Sequence, residues 1–150
     1  MSEFQRTAIV TGGARGIGRA IAEKLAIDGL RVGLADKDEE AATQAAQRIK
    51  SSSRVIALEV DVSLRPSIEK MVDEATRQMG NIDVHICNAG IMDRAQFLDM
   101  SDDFWDSVLK VNLGGVFKCG QVVAKKMIQQ GKGGRIVNVA SNSGIFGGRG

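Results

Sequence analysis

A glycine-rich octapeptide near the N-terminus, TGGARGIG at residues 11–18, has the composition of a phosphate-binding turn. Its glycines lack side chains, so a pyrophosphate could approach the backbone closely. If a helix begins in this turn, its free N–H groups and its dipole attract negative charge. The spacing is G-x-x-x-G-x-G rather than the usual G-x-G-x-x-G, and a tight turn that requires small residues is the alternative. The candidate nucleotide-binding residues of this turn are Gly12, Arg15, Gly16, Ile17 and Gly18.

An acidic residue, Asp36, follows the glycine turn at the end of a second apolar segment. A carboxylate at this place can accept hydrogen bonds from the ribose hydroxyls of adenosine, and it repels a 2′-phosphate. Asp36 therefore favours NAD as the cofactor. NADP is not excluded, because Arg15 and Lys37 could both bind a phosphate. A helix cap is the structural alternative for Asp36.

Small and polar residues also follow the third and fourth apolar segments. Asp61 and Val62 come after the third, where an Asp could meet the amino group of adenine. Asn88, Ala89 and Gly90 come after the fourth, where small residues would let a cofactor lie against the backbone. If these segments are parallel strands, their carboxyl ends meet at one edge of a sheet, where ligands bind.

Three further residues could act on a substrate. Asn112 lies among apolar neighbours within a helical segment, and a buried Asn needs hydrogen-bond partners. It is therefore either a helix–helix contact or an anchor of an active site. Ser141 and Ser143 follow the last apolar segment and begin a Gly-rich loop, where a hydroxyl could serve an active site.

The apolar pattern predicts an α/β fold. Strands are expected at 6–11, 31–35, 54–60, 82–87 and 135–140, and helices at 16–28, 38–50, 63–79 and 102–130. Apolar strands that alternate with amphipathic helices indicate a doubly wound parallel sheet of Rossmann type, as a single domain over 1–150.

Three details of these helices can be tested against a structure. Ile17, Ala20, Ile21 and Leu25 form the apolar face expected for the first helix, and Ser63 is the expected cap of the third. Gly114 and Gly115 predict close packing or a local kink in the last helix, because glycine destabilises a helix interior.

Composition excludes several classes of function. The chain has 150 residues, 43% of them hydrophobic, and its net charge of +2 is scattered without a basic run, so a nucleic-acid surface is not expected. Neither a membrane span nor a signal peptide is apparent, which predicts a cytoplasmic protein. Cys87 and Cys119 are expected to be buried free thiols, and His85 a packed strand residue. The pattern of Cys and His predicts no metal site.

Together these segments resemble the short-chain dehydrogenase/reductase family. The matching residues span nearly the whole chain in order: TGGARGIG at 11–18, Asp36, DV at 61–62, NAG at 88–90, Asn112 within KVNLGGVF, and GRIVNVAS at 134–141. The resemblance implies an NAD(P)-dependent oxidoreductase that interconverts a secondary alcohol and a ketone. Polyol or diol dehydrogenases and 3-oxoacyl-carrier-protein reductases are the similar types.

The resemblance also implies roles for individual residues. Ser141, within an S-x-x-G pattern at 141–144, would hydrogen-bond the substrate oxygen, and Asn112 would order a water near a catalytic Lys. The Tyr-x-x-x-Lys motif that follows this Ser in the family has no match, since the chain contains no Tyr. We therefore expect a chain that is truncated at its C-terminus, without the last strands of the full fold and inactive alone.

Partners are implied in the same way. Similar enzymes act on small-molecule alcohols or ketones, and they form dimers or tetramers through the helix at 102–130. A truncated, catalytically inactive nucleotide-binding or interaction protein is the alternative, if the natural chain ends at Gly150.

Overall fold

The structure is a computed structural model that describes residues 5–92 and 95–146. The end of the Gly-rich loop, residues 147–150, lies outside the described residues. The strands are β1 (Thr7–Thr11), β2 (Arg31–Asp36), β3 (Val55–Glu59), β4 (Val84–Cys87) and β5 (Arg135–Asn138). The α-helices are α1 (Gly16–Ile27), α2 (Glu39–Arg48), α3 (Arg65–Met79), α4 (Asp102–Asn112) and α5 (Gly114–Gln130). Short 3₁₀ turns lie at Phe97–Asp99 and Asn142–Gly144.

The five strands of the described chain form one parallel sheet in the order β3-β2-β1-β4-β5. The chain moves outward from β1 to β3 and then returns to place β4 on the other side of β1. The predicted doubly wound Rossmann-type sheet is therefore confirmed, with its topological switch point between β1 and β4. Several strands are one or two residues shorter than predicted.

Helices cover both faces of the sheet, as continuous apolar strands require. On one face, α1 and α2 pack against residues such as Val10, Val32 and Leu34. On the other, α3 and α5 pack against Ile9 and Leu58. Burial of apolar surface on two faces is the main stabilising term for such a sheet.

The buried face of α1 matches the predicted one only in part, since Ile21 and Leu25 are partly buried against the core but Ile17 and Ala20 are not. Gly18, Ala22 and Ala26 are buried, whereas Ile17 is 67% exposed and Ala20 is also exposed. The helix lies so close to the glycine turn that a Cβ at Gly18 would overlap the carbonyl oxygen of Gly12. Close approach therefore selects the small residues, and the larger ones flank the contact.

The predicted helix at 102–130 is not continuous. It is interrupted at Leu113, whose φ of −105° and ψ of −55° depart from helical values. Gly115 follows in the first turn of α5, where an added Cβ would lie 2.9 Å from Cγ2 of Val62. Gly115 thus provides the close packing that the sequence indicated, two residues after the break at Leu113.

Two helices, α4 and α2, begin with a side-chain cap, whereas α3 does not. Ser101 Oγ accepts a hydrogen bond from Phe104 N at 3.2 Å, and Asp38 Oδ1 accepts one from Ala41 N at 2.9 Å. The cap predicted at Ser63 is wrong, because α3 begins at Arg65 with no side-chain cap. Pro at the start of a helix supplies the helical φ in advance, which explains why α3 begins without a polar cap.

Candidate nucleotide-binding cleft

A cleft of about 750 Å³ opens at the carboxyl ends of β1, β2, β3 and β4. The residues predicted to bind a cofactor all line it: Gly12, Arg15, Gly16, Ile17, Gly18, Asp36, Asp61, Val62, Asn88, Ala89 and Gly90. These residues come from four separate segments of the sequence, which meet at the switch point, where doubly wound sheets bind ligands.

The glycine turn has a backbone that requires glycine. Gly12 and Gly16 have φ values of +65° and +55°, in the left-handed region that other residues rarely adopt. A Cβ at Gly12 would lie 2.9 Å from Cα of Ala89, so the two loops touch backbone to backbone. No side chain caps the start of α1. Its first N–H groups are consequently available to an anion in the cleft.

A hydrogen-bond network joins the two loops at the switch point. Thr11 Oγ1 donates to Ile86 O at 3.2 Å and accepts from the backbone N–H groups of Asn88 and Ala89 at 3.0 and 3.1 Å. Asn88 Nδ2 donates to Thr11 O and Gly12 O at 3.0 and 3.2 Å. Asn88 therefore fixes the shape of the glycine turn from behind. This role of Thr11 was not predicted from the sequence. A Thr that ends a strand directly before a glycine turn could have indicated it.

Asp36 holds the glycine turn against the end of β2. Its Oδ2 accepts from Ala14 N at 3.1 Å and its Oδ1 from Asp38 N at 3.3 Å. A carboxylate has about four acceptor sites, so Asp36 can still accept hydrogen bonds from a ligand in the cleft. The helix-cap alternative is not what the structure shows, since Asp38 caps α2.

Asp61 and Lys37 form an ion pair across the ends of β3 and β2. Lys37 Nζ lies 3.0 Å from Asp61 Oδ2, and Ser63 N donates to Asp61 Oδ1 at 2.9 Å. Burial alone would raise the pKa of Asp61, but the hydrogen bonds from Ser63 and Lys37 outweigh it and hold the pKa below its ordinary value. Asp61 is thus a fixed negative charge in the wall of the cleft.

Asn112 is exposed, which corrects the expectation of burial. Its Oδ1 accepts from Ile91 N and its Nδ2 donates to Ile91 O, both at 2.9 Å. This two-point contact is with the segment after β4, rather than with another helix. A Cβ at Gly90 would lie 3.3 Å from Asn112 Oδ1, so a glycine fits here. Asn112 thereby holds Ile91, which does line the cleft.

Ser141 lies just after β5 and is exposed. Its Oγ accepts a hydrogen bond from Ser143 N at 3.1 Å and caps the short turn at Asn142–Gly144. Among the described residues, neither Ser141 nor Asn112 belongs to the lining of the cleft. The structure therefore unites the predicted cofactor residues but does not bring the two predicted substrate residues into the same lining.

Helix α4 supplies lining residues that the sequence analysis did not assign. Ser107, Lys110 and Val111 face the cleft at i, i+3 and i+4 spacing. The helical period of the segment predicted at 102–130 would have placed Ser107 on the same face as Val111.

The described residues contain no group of three or more His, Cys, Asp or Glu side chains that could hold a metal ion. Cys87 and Cys119 are free and buried, and burial raises their thiol pKa values to about 11 and about 12. In residues 5–92 and 95–146, no helix combines the length and the apolar character needed to cross a membrane.

Comparison with known proteins places these features in one family. A family model described as short chain dehydrogenase matches residues 6–150, and the chain belongs to this family. The chain is 38% identical over 147 residues to 3beta-hydroxysteroid dehydrogenase 2 of Eggerthella lenta, covering 97% of this chain and 56% of that protein. It is 40% identical over 139 residues to a sorbitol dehydrogenase of Cereibacter sphaeroides, covering 93% and 54%.

A solved structure agrees with these matches. The crystal structure of a short-chain type dehydrogenase/reductase from Mycobacterium marinum superposes with a TM-score of 0.91 at 32% sequence identity. The superposition covers 94% of this chain and 56% of that one. The chain thus spans about half the length of the relatives it matches.

Proposed function

We propose that the cleft binds NAD(P) and that the protein is an oxidoreductase which interconverts a secondary alcohol and a ketone. The convergence of five sequence segments on one cleft at the switch point carries this proposal. Relatives named for a hydroxysteroid and for sorbitol support a hydroxyl-bearing substrate. A polyol or diol, or a 3-oxoacyl thioester, is the substrate type that the sequence resemblance favours.

The residues present fit a dinucleotide. The uncapped start of α1 and the left-handed glycines would hold its pyrophosphate, since this backbone offers N–H groups and no side chains. Asp36 retains acceptor sites for ribose hydroxyls. Asp61 and Val62 would flank the adenine, and Ala89 and Gly90 would let the cofactor lie along the loop after β4. When bound, the nicotinamide accepts or donates the hydride.

Two residues outside the cleft lining have proposed roles near the substrate. Ser141 would donate its hydroxyl hydrogen to the substrate oxygen in place of its long contact with Asn142 Oδ1 at 3.5 Å, while Ser143 N occupies one acceptor site of the same hydroxyl. Asn112 would position the loop after β4 through its two bonds to Ile91, and would hold an ordered water, as the family resemblance implies.

We further propose that NAD is preferred over NADP. Asp36 carries a negative charge at the place expected for the ribose, and a 2′-phosphate there would meet electrostatic repulsion.

Titration calorimetry of the full-length protein with NAD⁺ and NADP⁺ tests the proposed function. We expect saturable binding of both, with NAD⁺ bound more tightly. Asp36→Ala removes the repulsion and the ribose acceptor, so the ratio of the two Kd values should narrow by at least about tenfold. Asp28→Ala, which removes an exposed acid paired with Lys24 at the far end of α1, is the matched control and should leave the ratio unchanged. Absence of saturable binding would contradict the proposal, and an unchanged ratio in Asp36→Ala would contradict the role of Asp36.

Association with a second copy is also proposed. Trp105, Leu109, Leu113 and Phe117 recur every four residues along α4 and α5, and all four are exposed. An apolar stripe of this kind is typical of a protein–protein contact. Light scattering of the full-length protein should give the mass of a dimer or tetramer, and a monomer would contradict this proposal.

The free, buried thiols of Cys87 and Cys119 support the predicted cytoplasmic location.

A further inference from the structure

The ion pair between Lys37 and Asp61 lies in the wall of the cleft, beside Asp36. Both residues line the cleft, and their charged atoms are 3.0 Å apart. The two partners differ in freedom, because the side chain of Lys37 is 79% exposed and that of Asp61 only 23%. Lys37 is thus the mobile member of the pair.

Asp61 is held in place independently of Lys37. Its carboxylate accepts from Ser63 N at 2.9 Å, and its own N–H donates to Ser67 Oγ at 2.9 Å. Because the carboxylate is fixed and the lysine side chain is long and flexible, the carboxylate determines the preferred position of the ammonium group. Asp61 therefore holds the Lys37 ammonium at the end of β3 rather than leaving it free beside Asp36.

We propose that Asp61 is a specificity-determining residue that disfavours NADP by holding Lys37 away from a 2′-phosphate. This inference rests on the proposed binding of NAD(P) in the cleft. With the pair formed, the charge of Lys37 is balanced by Asp61, and Asp36 opposes a phosphate. With Asp61 uncharged, Lys37 becomes available and the local charge rises by one unit, which favours a dianionic phosphate.

The ratio of the two affinities isolates this effect from other roles of Asp61. NAD⁺ and NADP⁺ carry the same adenine, so any contact between Asp61 and the adenine changes both Kd values alike. Only an effect at the 2′-position changes their ratio. Asp61→Asn suits the test because an amide oxygen still accepts from Ser63 N.

The experiment is a double-mutant cycle on the full-length protein, read by calorimetric titration with NAD⁺ and with NADP⁺. In Asp61→Asn, we expect the Kd for NADP⁺ relative to that for NAD⁺ to fall about fivefold, the upper range for an exposed ion pair. In Lys37→Ala, we expect a change of less than about twofold, since the pair already occupies this side chain. The double variant should lose the gain seen in Asp61→Asn.

A matched control separates a local effect from a general change of charge. Lys70 and Glu59 form a similar pair at 3.1 Å outside this cleft, so Glu59→Gln should leave the ratio unchanged. Circular dichroism of each variant checks folding. If Asp61→Asn does not fold, Lys37→Ala alone decides whether Lys37 is held away from the 2′-phosphate. If Lys37 were free to bind this phosphate, Lys37→Ala would weaken NADP⁺ binding several-fold.

Besides a several-fold loss of NADP⁺ affinity in Lys37→Ala, three results would overturn the inference. One is an unchanged ratio in Asp61→Asn with NAD⁺ binding intact, and another is a gain that persists in the double variant. In both cases the proposed function stands. Absence of NAD⁺ binding by the unmodified protein would instead overturn the proposed function and this inference together.

Discussion

At the scale of single residues, His85 stands out as a polar ring that is fully buried. It lies on β4 and is fully buried, and neither ring nitrogen has a hydrogen-bond partner among the described residues. Burial lowers the pKa of its imidazole to about 4 from an ordinary value of 6.5. The neutral ring is therefore the folded form, and protonation opposes folding.

This residue should make the fold sensitive to mild acid. Between pH 6.5 and pH 4 the unfolded chain binds a proton at His85 that the folded chain does not, so stability falls as the pH falls through this range. The expected loss from pH 7 to pH 4.5 is about 2 kcal/mol. His85→Leu should remove that loss and leave stability at pH 7 equal or higher, because the unpaired ring nitrogens are gone.

Urea unfolding of both proteins at pH 7 and pH 4.5 checks this expectation. The carboxyl of Asp61 does not interfere. Its lowered pKa stabilises the folded chain, and this contribution is lost only as the pH falls below about 3.8. An equal loss of stability in His85→Leu and in the unmodified protein would show that another group is responsible.

At the scale of elements, α5 contains a matched pair of glycines in different surroundings. A Cβ at Gly115 would lie 2.9 Å from Val62 Cγ2, whereas one at Gly120 would have no atom within 4 Å. Gly120→Ala should gain up to about 1 kcal/mol from helix propensity. In Gly115→Ala the same gain is opposed by overpacking, which typically costs about 1–3 kcal/mol.

We therefore expect Gly115→Ala to be less stable than Gly120→Ala by about 1–3 kcal/mol, measured by urea unfolding at pH 7. Because Val62 lines the cleft, Gly115→Ala should also weaken NAD⁺ binding, and Gly120→Ala should not. Equal stability of the two variants would mean that α5 does not approach Val62 as closely as the structure indicates.

The elements also show where sequence patterns reach their limit. The order and type of every strand were predictable, because apolar runs and helical periodicity are local properties. The burial of Gly18, Ala22 and Ala26 on α1 was not predictable. It depends on how closely the helix approaches Gly12, and that distance is set by the tertiary fold. The break at Leu113 was only partly indicated, by the two glycines that follow it.

The same distinction applies to the candidate site. The residues that line the cleft were predictable as a group because most of them lie where a strand ends, and parallel strands bring their carboxyl ends together. Two side-chain contacts were not predictable from the sequence: that of Asn112 with Ile91 and the ion pair of Lys37 with Asp61. Both depend on which side chains the fold brings close together. The exposure of Asn112 likewise does not follow from its apolar neighbours in the sequence.

At the scale of the whole molecule, the short-chain dehydrogenase fold positions both a cleft and a serine for the proposed oxidoreductase activity. The cleft at the switch point is the proposed cofactor site, and Ser141, which follows β5, is the residue proposed to contact the substrate. Ser143 is two residues away in the same turn and is also exposed, which makes it a close control.

The most direct test is therefore the turnover of the full-length protein and its two serine variants. Reduction of NAD⁺ would be followed by absorbance with secondary alcohols that include a polyol and a 3-hydroxysteroid. We expect measurable kcat/KM for at least one of them, reduced by about a hundredfold or more in Ser141→Ala and by much less in Ser143→Ala. A larger loss in Ser143→Ala, or equal losses in both, would contradict the assignment of Ser141. No NAD⁺- or NADP⁺-dependent turnover of any alcohol or ketone would contradict the proposed function.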